Sequence, residues 1–291
     1  MTLTFAFLPL AVALLLTGVL SATHRALRPR DAVRAMTAAL MVTSIAALPS
    51  LWVLSLGFLS HSRYTEPALG WCSAMLGVHA DVPALIGLPA VAVSAFGLVR
   101  AVRLFAATTR LRCATAHGVD VVDGEALFAY TLPGPAGRVV ISTAMLALLD
   151  DEESAVVLAH EHAHGVHRHD RYLLLATLTS ALFPPLGHLS PRLQFGLERR
   201  ADEDAARAAD GDRRLVARTI AKVAVGSPSQ HAPALGITGL GATGRVRMLL
   251  QPPRVRPWSR VWASCALLAT TTIAAYQLHH VAALITALCH Q

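Results

Sequence analysis

The 291-residue chain is too apolar for an ordinary soluble domain, because hydrophobic residues make up 54% of it and its mean hydropathy is +0.50. This composition predicts a membrane protein. The net charge of +7 comes largely from arginines that cluster beside the apolar stretches, and the sequence has no basic stripe or base-reading module. Direct binding of nucleic acid is therefore not expected.

Four apolar stretches are long enough to cross a bilayer, for which a helix needs about 20 residues. They are Leu3 to Ala22, Ala35 to Leu59, Val82 to Phe105, and Val261 to about Leu278. The first stretch lacks a basic segment before it, so we interpret it as a retained anchor rather than a signal peptide. The chain is thus expected to be mainly α-helical, with a three-helix transmembrane region at 1–107 and a C-terminal transmembrane helix at 257–291.

The arginines predict the orientation of these spans, because short cytoplasmic loops are enriched in Lys and Arg. Basic clusters follow the first and third spans and precede the fourth: Arg25, Arg28, Arg30, Arg34, Arg103, Arg110, Arg112, Arg254, Arg256 and Arg260. Residues 108–256 are therefore expected in the cytoplasm and both termini outside, in a multi-pass protein of the cell membrane. Cys72 and Cys289 both fall on the predicted outer side, where a disulfide between them is a hypothesis.

The block at 108–256 opens with short β-strand patterns. Val119 to Val122 and Glu125 to Thr131 are separated by Asp123-Gly124, a strong hairpin signal, and Arg138 to Thr143 follows as a third run. These runs predict an α+β domain bearing a small antiparallel sheet. The strand around Ala126 to Thr131 is a candidate to receive an extended substrate by edge pairing.

Helical patterns fill the rest of this block. The acidic run Asp150 to Glu153 predicts the start of a long helix that contains VVLAHEHAHGVHRHD. Tyr172 to Leu189 is also apolar, but Pro184-Pro185 would break a spanning helix, which favours a buried or interfacial helix ending near Phe183 over a fifth span. A polar helix and a glycine-rich loop are expected at Pro191 to Ala209 and Gly226 to Gly244.

The sequence HEHAH at 160–164 has the spacing of a metal site. His160 and His164 are four apart and share one helix face, so a zinc ion at about 2.1 Å can bridge them. Glu161 stands beside that ion, where it can take a proton from a water molecule. This is the HExxH arrangement, in which the glutamate is the general base.

The other histidines of the helix fit the same ion less well. His162 points to the far face, and His167 stands about 10 Å along the axis from His160. His169 is off the face, where we expect a capping role or a supporting contact to a ligand. A polar helix end is the simplest interpretation of these three.

A catalytic zinc needs a third protein ligand, and two carboxylates compete for that place. Asp170 lies where a metzincin places its third ligand, but those proteins need a glycine at the position of His167. Glu198 and Asp202 are four apart on a helix and repel each other unless a cation, or a histidine bound to that cation, lies between them. The alternative for these acids is a solvated face paired to arginines: Arg199, Arg200 and Arg207.

HEHAH at 160–164 followed by ERRAD at 198–202 resembles the HExxH plus ExxxD pattern of two groups of membrane zinc peptidases. These are the BlaR/MecR-type antirepressor peptidases and the HtpX/CAAX-prenyl protease type. The preceding RVVISTAMLALLDDEESAVVLAHE also resembles the strand and helix that lead into the site in both groups. The likeness covers roughly residues 110–250, and three spans before the domain with one after it are closer to the BlaR/MecR type.

The resemblance implies one Zn²⁺ per chain in a zincin-like metallopeptidase domain. The implied roles are zinc binding for His160, His164 and Glu198, general base and later proton donor for Glu161, and partner of a ligand histidine for Asp202. His231 and Arg245 are candidates for stabilising charge in the transition state.

The expected function is that of an integral-membrane zinc endopeptidase that cleaves a cytoplasmic or inner-face protein, such as a BlaI-like transcriptional repressor, in regulated proteolysis. The loop at 60–81 and the C-terminus are the expected outer segments, which leaves room for a separate sensor protein as a partner besides the lipid bilayer. Two alternatives stay open: an HtpX-like quality-control protease for membrane proteins, and a catalytically silent membrane sensor or scaffold.

Overall fold

The computed structural model describes residues 27–60, 82–112, 118–133, 137–226, 241–252 and 257–289, together with residues 15, 17 and 18. Several expectations lie outside these residues. They concern most of the first predicted span, Cys72, the side chain of Cys289, and most of the glycine-rich loop with His231. The disulfide hypothesis and the role of His231 stay predictions.

Two long helices are apolar enough to cross a membrane, α1 (Pro29–Ser60) and α2 (Ala84–Arg112). They pack against each other; α1 extends beyond its predicted span at both ends, and α2 extends beyond its predicted span at the C-terminal end. A third long helix, α9 (Pro257–Cys289), packs on α1, and Ser264–Tyr276 is an apolar part of it among the described residues. Length and composition thus support membrane association for the described residues, while the four spans stay a prediction.

The small sheet has three strands, β1 (Val119–Val122), β2 (Ala129–Leu132) and β3 (Arg138–Ser142). Their order is β1-β3-β2, with β3 parallel to β1 and antiparallel to β2. The predicted antiparallel sheet is therefore wrong in its topology: the sheet is mixed, and β1 and β2 do not form a hairpin.

Contacts at the end of β3 explain why Asp123-Gly124 does not close a hairpin. The Thr143 hydroxyl donates to Asp123 Oδ1 over 3.0 Å and accepts from the Gly124 N–H over 3.2 Å. The chain therefore passes across the end of β3 and returns on its other side, where Phe128 exchanges backbone and side-chain hydrogen bonds with Ser142. This connection separates β1 from β2 so that β3 fits between them, with about 4.8 Å between neighbouring strands.

Most of the domain after the sheet is helical. The elements are α3 (Thr143–Leu148), α4 (Asp151–Val166), α5 (His169–Leu182), a 3₁₀ helix (Pro184–Leu189), α6 (Ser190–Ala208), α7 (Arg213–Gly226) and α8 (Ala242–Leu250). The predicted start of α4 is confirmed by a capping box. The Glu153 N–H donates to Asp150 Oδ1 over 2.8 Å, and the Asp150 N–H donates to Glu153 Oε2 over 3.2 Å.

Helix α5 ends at Leu182 with Phe183 as its C-cap, which confirms the helix boundary predicted from Pro184-Pro185. It packs against both α1 and α2. The approach to α2 is close, since a Cβ built on Gly97 would lie 2.8 Å from the Ala181 carbonyl oxygen. Helix α5 thus connects the domain to the two long helices.

Two hydrophobic clusters share helix α6. One joins the first half of α1 to α5, the 3₁₀ helix and the start of α6, through residues such as Met36, Leu40 and Leu197. The other lies inside the domain and joins the sheet, α4, α6 and α7, with Val157 and Ala205 among its buried residues. Because α6 packs on both sides, it is fixed beside α4 along its length.

Candidate metal centre

Helices α4 and α6 lie side by side and bring together His160, His164 and Glu198, all three of them buried. The Nε2 atoms of the two histidines are 3.2 Å apart. Glu198 Oε2 lies 3.4 Å from His160 Nε2, and Glu198 Oε1 lies 3.6 Å from His164 Nε2. Three side chains from two helices therefore direct their ligand atoms at one point.

This triangle has the size that one metal ion requires. When ligands lie 2.0–2.1 Å from a tetrahedral zinc ion, neighbouring ligand atoms stand about 3.3 Å apart. The observed separations are close to that value, and two imidazoles with one carboxylate are a ligand set that zinc accepts. Among the described residues, these three form the group that could hold a metal ion, and Asp170 is not part of it.

Each ligand histidine has a partner on its other ring nitrogen. His160 Nδ1 lies 3.1 Å from Asp202 Oδ1, and His164 Nδ1 lies 2.8 Å from His169 Nδ1. Such partners fix the tautomer and the ring orientation of a metal-bound histidine. If His164 Nδ1–H donates to His169, then Nε2 of His164 is left with its lone pair toward the triangle.

Arg245, from α8, lies fully buried between the two carboxylates of α6. Its Nη1 is 2.9 Å from Glu198 Oε2, its Nε donates to Asp202 Oδ2 over 2.9 Å, and its Nη2 donates to Asp202 Oδ1 over 2.5 Å. The repulsion between the carboxylates of Glu198 and Asp202 is therefore offset by the guanidinium group of Arg245. Its donors are directed at these carboxylates, and its role in stabilising charge in the transition state stays a prediction.

The charges of the centre follow from burial and these contacts. Burial alone would lower the pKa of His160, but the adjacent carboxylates of Asp202 and Glu198 outweigh it and raise that pKa to about 9. Burial lowers the pKa of His164 to about 4. For both Glu198 and Asp202 burial would raise the pKa, but Arg245 outweighs it and holds the pKa below its usual range. Both carboxylates are thus ionised at neutral pH.

Glu161 lies next to this centre and is fully buried. Its backbone oxygen and its Oε2 lie 2.6 Å and 2.9 Å from the hydroxyl of Thr131, on β2, which can donate to either. Its Oε1 has no hydrogen-bond partner among the described residues. Burial raises the pKa of Glu161 to about 7, the range in which a carboxylate can both accept and return a proton near neutral pH.

The comparison with family models agrees with this geometry. Residues 99–227 match the model of peptidase family M48. The matched stretch contains the sheet, α4, α6 and the three candidate ligands, which supports a metallopeptidase of this family, whose members are typically zinc-dependent. No curated protein and no solved structure gave a match. The family match does not separate the BlaR/MecR type from the HtpX type.

The remaining histidines of α4 and its end have distinct environments. His162 is exposed, on the far side of the helix from the centre. His167 Nε2–H donates to Asp204 Oδ2 over 2.5 Å, and Arg200 donates to His167 Nδ1 over 2.9 Å. This polar network lies at the end of α4 and belongs to a different surface from the candidate metal centre.

Two contacts of the centre could not be recognised from the sequence. Thr131 reaches Glu161 across 30 positions of sequence, and the spacing of a short strand gives no sign of that contact. Arg245 reaches Asp202 across 43 positions. A weak signal exists for Arg245: it stands four residues before Leu249 on a short helix, so the two share one face, and both are buried.

Proposed function

We propose that this protein is an integral-membrane zinc endopeptidase that cleaves a cytoplasmic or inner-face protein. The observation that carries the proposal is the buried triangle of His160, His164 and Glu198 ligand atoms with Glu161 directly beside it. A scaffold without catalytic activity would gain nothing from a buried carboxylate in this position, because burial of a carboxylate lowers the stability of the fold.

In the proposed reaction, the zinc ion and the side chains of the protein have different roles. When bound, a zinc ion supplies Lewis acidity, which lowers the pKa of a water molecule and polarises a peptide carbonyl. Glu161 accepts the proton of the attacking water and delivers it to the nitrogen of the leaving amine. Burial raises the pKa of Glu161, which favours its return of the proton. Thr131 orients the carboxylate by donating to Oε2.

Strand β2 is the proposed place for the substrate. It is an edge strand of the sheet, since the order is β1-β3-β2, and it carries Thr131 next to Glu161. A peptide in extended conformation can add to such an edge through backbone hydrogen bonds. The peptide bond to be cleaved would then lie beside the candidate metal centre.

The cellular setting is proposed from the arginine clusters and the two long apolar helices. They favour a multi-pass protein of the cell membrane with its peptidase domain in the cytoplasm. In that setting a cytoplasmic repressor of the BlaI type is the proposed substrate, with a separate sensor protein to supply the signal. Quality control of membrane proteins is the second candidate, and the packing of α5 against α1 and α2 favours it by bringing the domain close to the spans.

The test compares variants of the purified full-length protein after zinc loading, with casein as a general substrate. Glu161→Gln should keep the zinc content and lower cleavage by about 100-fold to 10,000-fold, because it removes only the proton acceptor. Glu198→Ala should lose zinc in elemental analysis, whereas Asp170→Ala should retain it. Glu152→Gln, an exposed change on the same helix, is the matched control.

Two results would contradict the proposal. Turnover by Glu161→Gln at the rate of the control would remove the mechanism. Zinc retained by Glu198→Ala and lost by Asp170→Ala would move the third ligand to the metzincin position.

A further inference from the structure

Strand β2 has two different faces. Thr131 contacts Glu161 on α4, and Ala129 belongs to the hydrophobic cluster that the sheet shares with that helix. Because successive side chains of a strand point to opposite faces, the residues that alternate with these two point away from α4. They are Phe128, directly before the strand, Tyr130 and Leu132. The ring centroids of the first two are 5.8 Å apart, as expected for neighbours on one face.

The backbone groups of β2 alternate in the same way. The Ser142 N–H donates to the Phe128 carbonyl oxygen over 3.0 Å, so these residues are a hydrogen-bonded pair of the antiparallel ladder with β3. In such a ladder, every second residue directs its N–H and C=O away from the partner strand. By the register of β2 and β3, these residues are Ala129 and Thr131. Within the part of the chain that the structure describes, the sheet has no strand beyond β2.

Phe128, Tyr130 and Leu132 form an apolar row along this outer edge, which we call the aromatic edge. All three are half-buried, whereas Val140, opposite Tyr130 on β3, is buried. The exposed part of the row therefore lies toward the outer side of β2. Edge strands often carry charged residues that prevent pairing with another chain, but the four residues of β2 include none. The aromatic edge thus favours contact with an extended apolar partner.

The position of the aromatic edge indicates which partner it receives. Thr131 connects β2 to Glu161, so a peptide that pairs with the backbone of Thr131 lies beside the candidate metal centre. In that added strand, every second side chain stands on the face of the aromatic edge. A side chain directly opposite Tyr130 has its Cβ about 5 Å from the Cβ of Tyr130, which is contact distance for large side chains. The partner is therefore a substrate segment in extended conformation.

We propose that Tyr130, supported by Phe128 and Leu132, determines the substrate specificity of the peptidase by selecting large apolar side chains at alternate positions around the cleaved bond. The inference rests on the proposed function and adds a substrate class to it: extended segments with one apolar face. An apolar side chain opposite Tyr130 buries surface against the ring and gains the energy of an aromatic or aliphatic pair. A charged side chain at that position loses hydration without a charged partner in β2.

The first experiment maps the preference of the purified full-length protein after zinc loading. Cleavage sites in a synthetic peptide library with randomised positions are identified by mass spectrometry, and casein serves as the general substrate. We expect large apolar residues to be enriched, and lysine and aspartate depleted, at one position near the cleaved bond and at the position two residues from it. The preferred sequence then provides a quenched fluorescent peptide and a second version with alanine at the enriched position opposite Tyr130.

Variants of Tyr130 distinguish selection by its ring from a general effect on the sheet. Tyr130→Ala should lower kcat/KM about threefold to tenfold for the peptide with the large apolar residue, and clearly less for the alanine peptide, which makes no contact with the ring. Tyr130→Phe keeps the ring and should restore the difference between the two peptides. Val121→Ala, an exposed change on the opposite edge strand, is the matched control and should leave that difference unchanged.

The outcomes separate this inference from the proposed function. If the wild-type protein cleaves neither casein nor the library, the proposed function fails and the specificity fails with it. Casein cleavage without an apolar preference at alternate positions would overturn the specificity alone. An equal effect of Tyr130→Ala on the two peptides, whether a loss or no change, would likewise remove Tyr130 as the specificity-determining residue while the peptidase activity stands.

Discussion

Arg245 compensates negative charge in the candidate metal centre, because it pairs with two ionised and buried carboxylates, those of Glu198 and Asp202. Replacement by methionine leaves Glu198 and Asp202 buried without their cation. Removal of one partner of a buried ion pair costs about 3–5 kcal/mol. We expect Arg245→Met to lower the melting temperature of the metal-free protein strongly. The loss should be smaller in the zinc-loaded protein, since the ion supplies positive charge beside Glu198.

Arg247→Met is the control for this prediction, as it makes the same exchange two residues away at an exposed position of α8. Melting is followed by scanning calorimetry with and without zinc. Equal melting temperatures for Arg245→Met and the control in the metal-free state would show that the guanidinium does not support the carboxylates.

His169 supports the centre through one contact, the 2.8 Å approach of its Nδ1 to His164 Nδ1. Phenylalanine at this position keeps an aromatic ring of similar size but accepts no hydrogen bond. We expect His169→Phe to reduce zinc affinity by about 10-fold to 100-fold, the usual effect of removing the outer partner of a metal-bound histidine. Competition with a coloured chelator measures the affinity. His162→Phe, on the exposed side of α4, should leave zinc affinity unchanged, and an equal loss there would point to a general effect of the exchange.

At the scale of elements, the distance between the sheet and α4 depends on a contact between two glycines. A Cβ built on Gly137 would lie 2.5 Å from the Cα of Gly165, and Gly137 also has a φ of +65°. Gly137→Ala should therefore push the start of β3 away from α4 and lengthen the Thr131–Glu161 hydrogen bond. We expect a loss of about 1–3 kcal/mol in the free energy of unfolding, with lower casein cleavage at unchanged zinc content.

The matched change is Gly187→Ala in the 3₁₀ helix, where a built Cβ meets no atom within 4 Å. It should leave both the stability and the cleavage rate near those of the wild type. If Gly137→Ala behaves like Gly187→Ala in both assays, the close approach of the sheet to α4 does not determine activity.

For the whole molecule, the arginine clusters predict that the domain lies in the cytoplasm and that the C-terminus lies outside. Alkaline phosphatase fused after Gly118 should therefore be inactive, and the same enzyme fused after Gln291 should be active. A fluorescent protein that folds only in the cytoplasm should give the opposite pattern. Active phosphatase at Gly118 with silence at Gln291 would invert the topology and remove every cytoplasmic substrate proposed for the domain.

The sequence by itself determined the features that form within a few turns of chain. His160 and His164 share a face because they are four residues apart on a helix, and the Asp150–Glu153 capping box starts that helix at the predicted place. Proline at 184 ends α5 for a similarly local reason, because it cannot continue the hydrogen-bond ladder. Each of these features depends on neighbours that the sequence places side by side.

The tertiary structure alone decided which distant segments meet. Asp123-Gly124 encodes a bend, but the insertion of β3 between β1 and β2 depends on the Thr143 contacts formed 20 positions later. Arg245 reaches Asp202 only because α8 packs against α6, and Thr131 reaches Glu161 only because β2 packs against α4. Local periodicity sets which side chains share a face of one element, whereas the packing of buried surfaces against each other sets which faces come together.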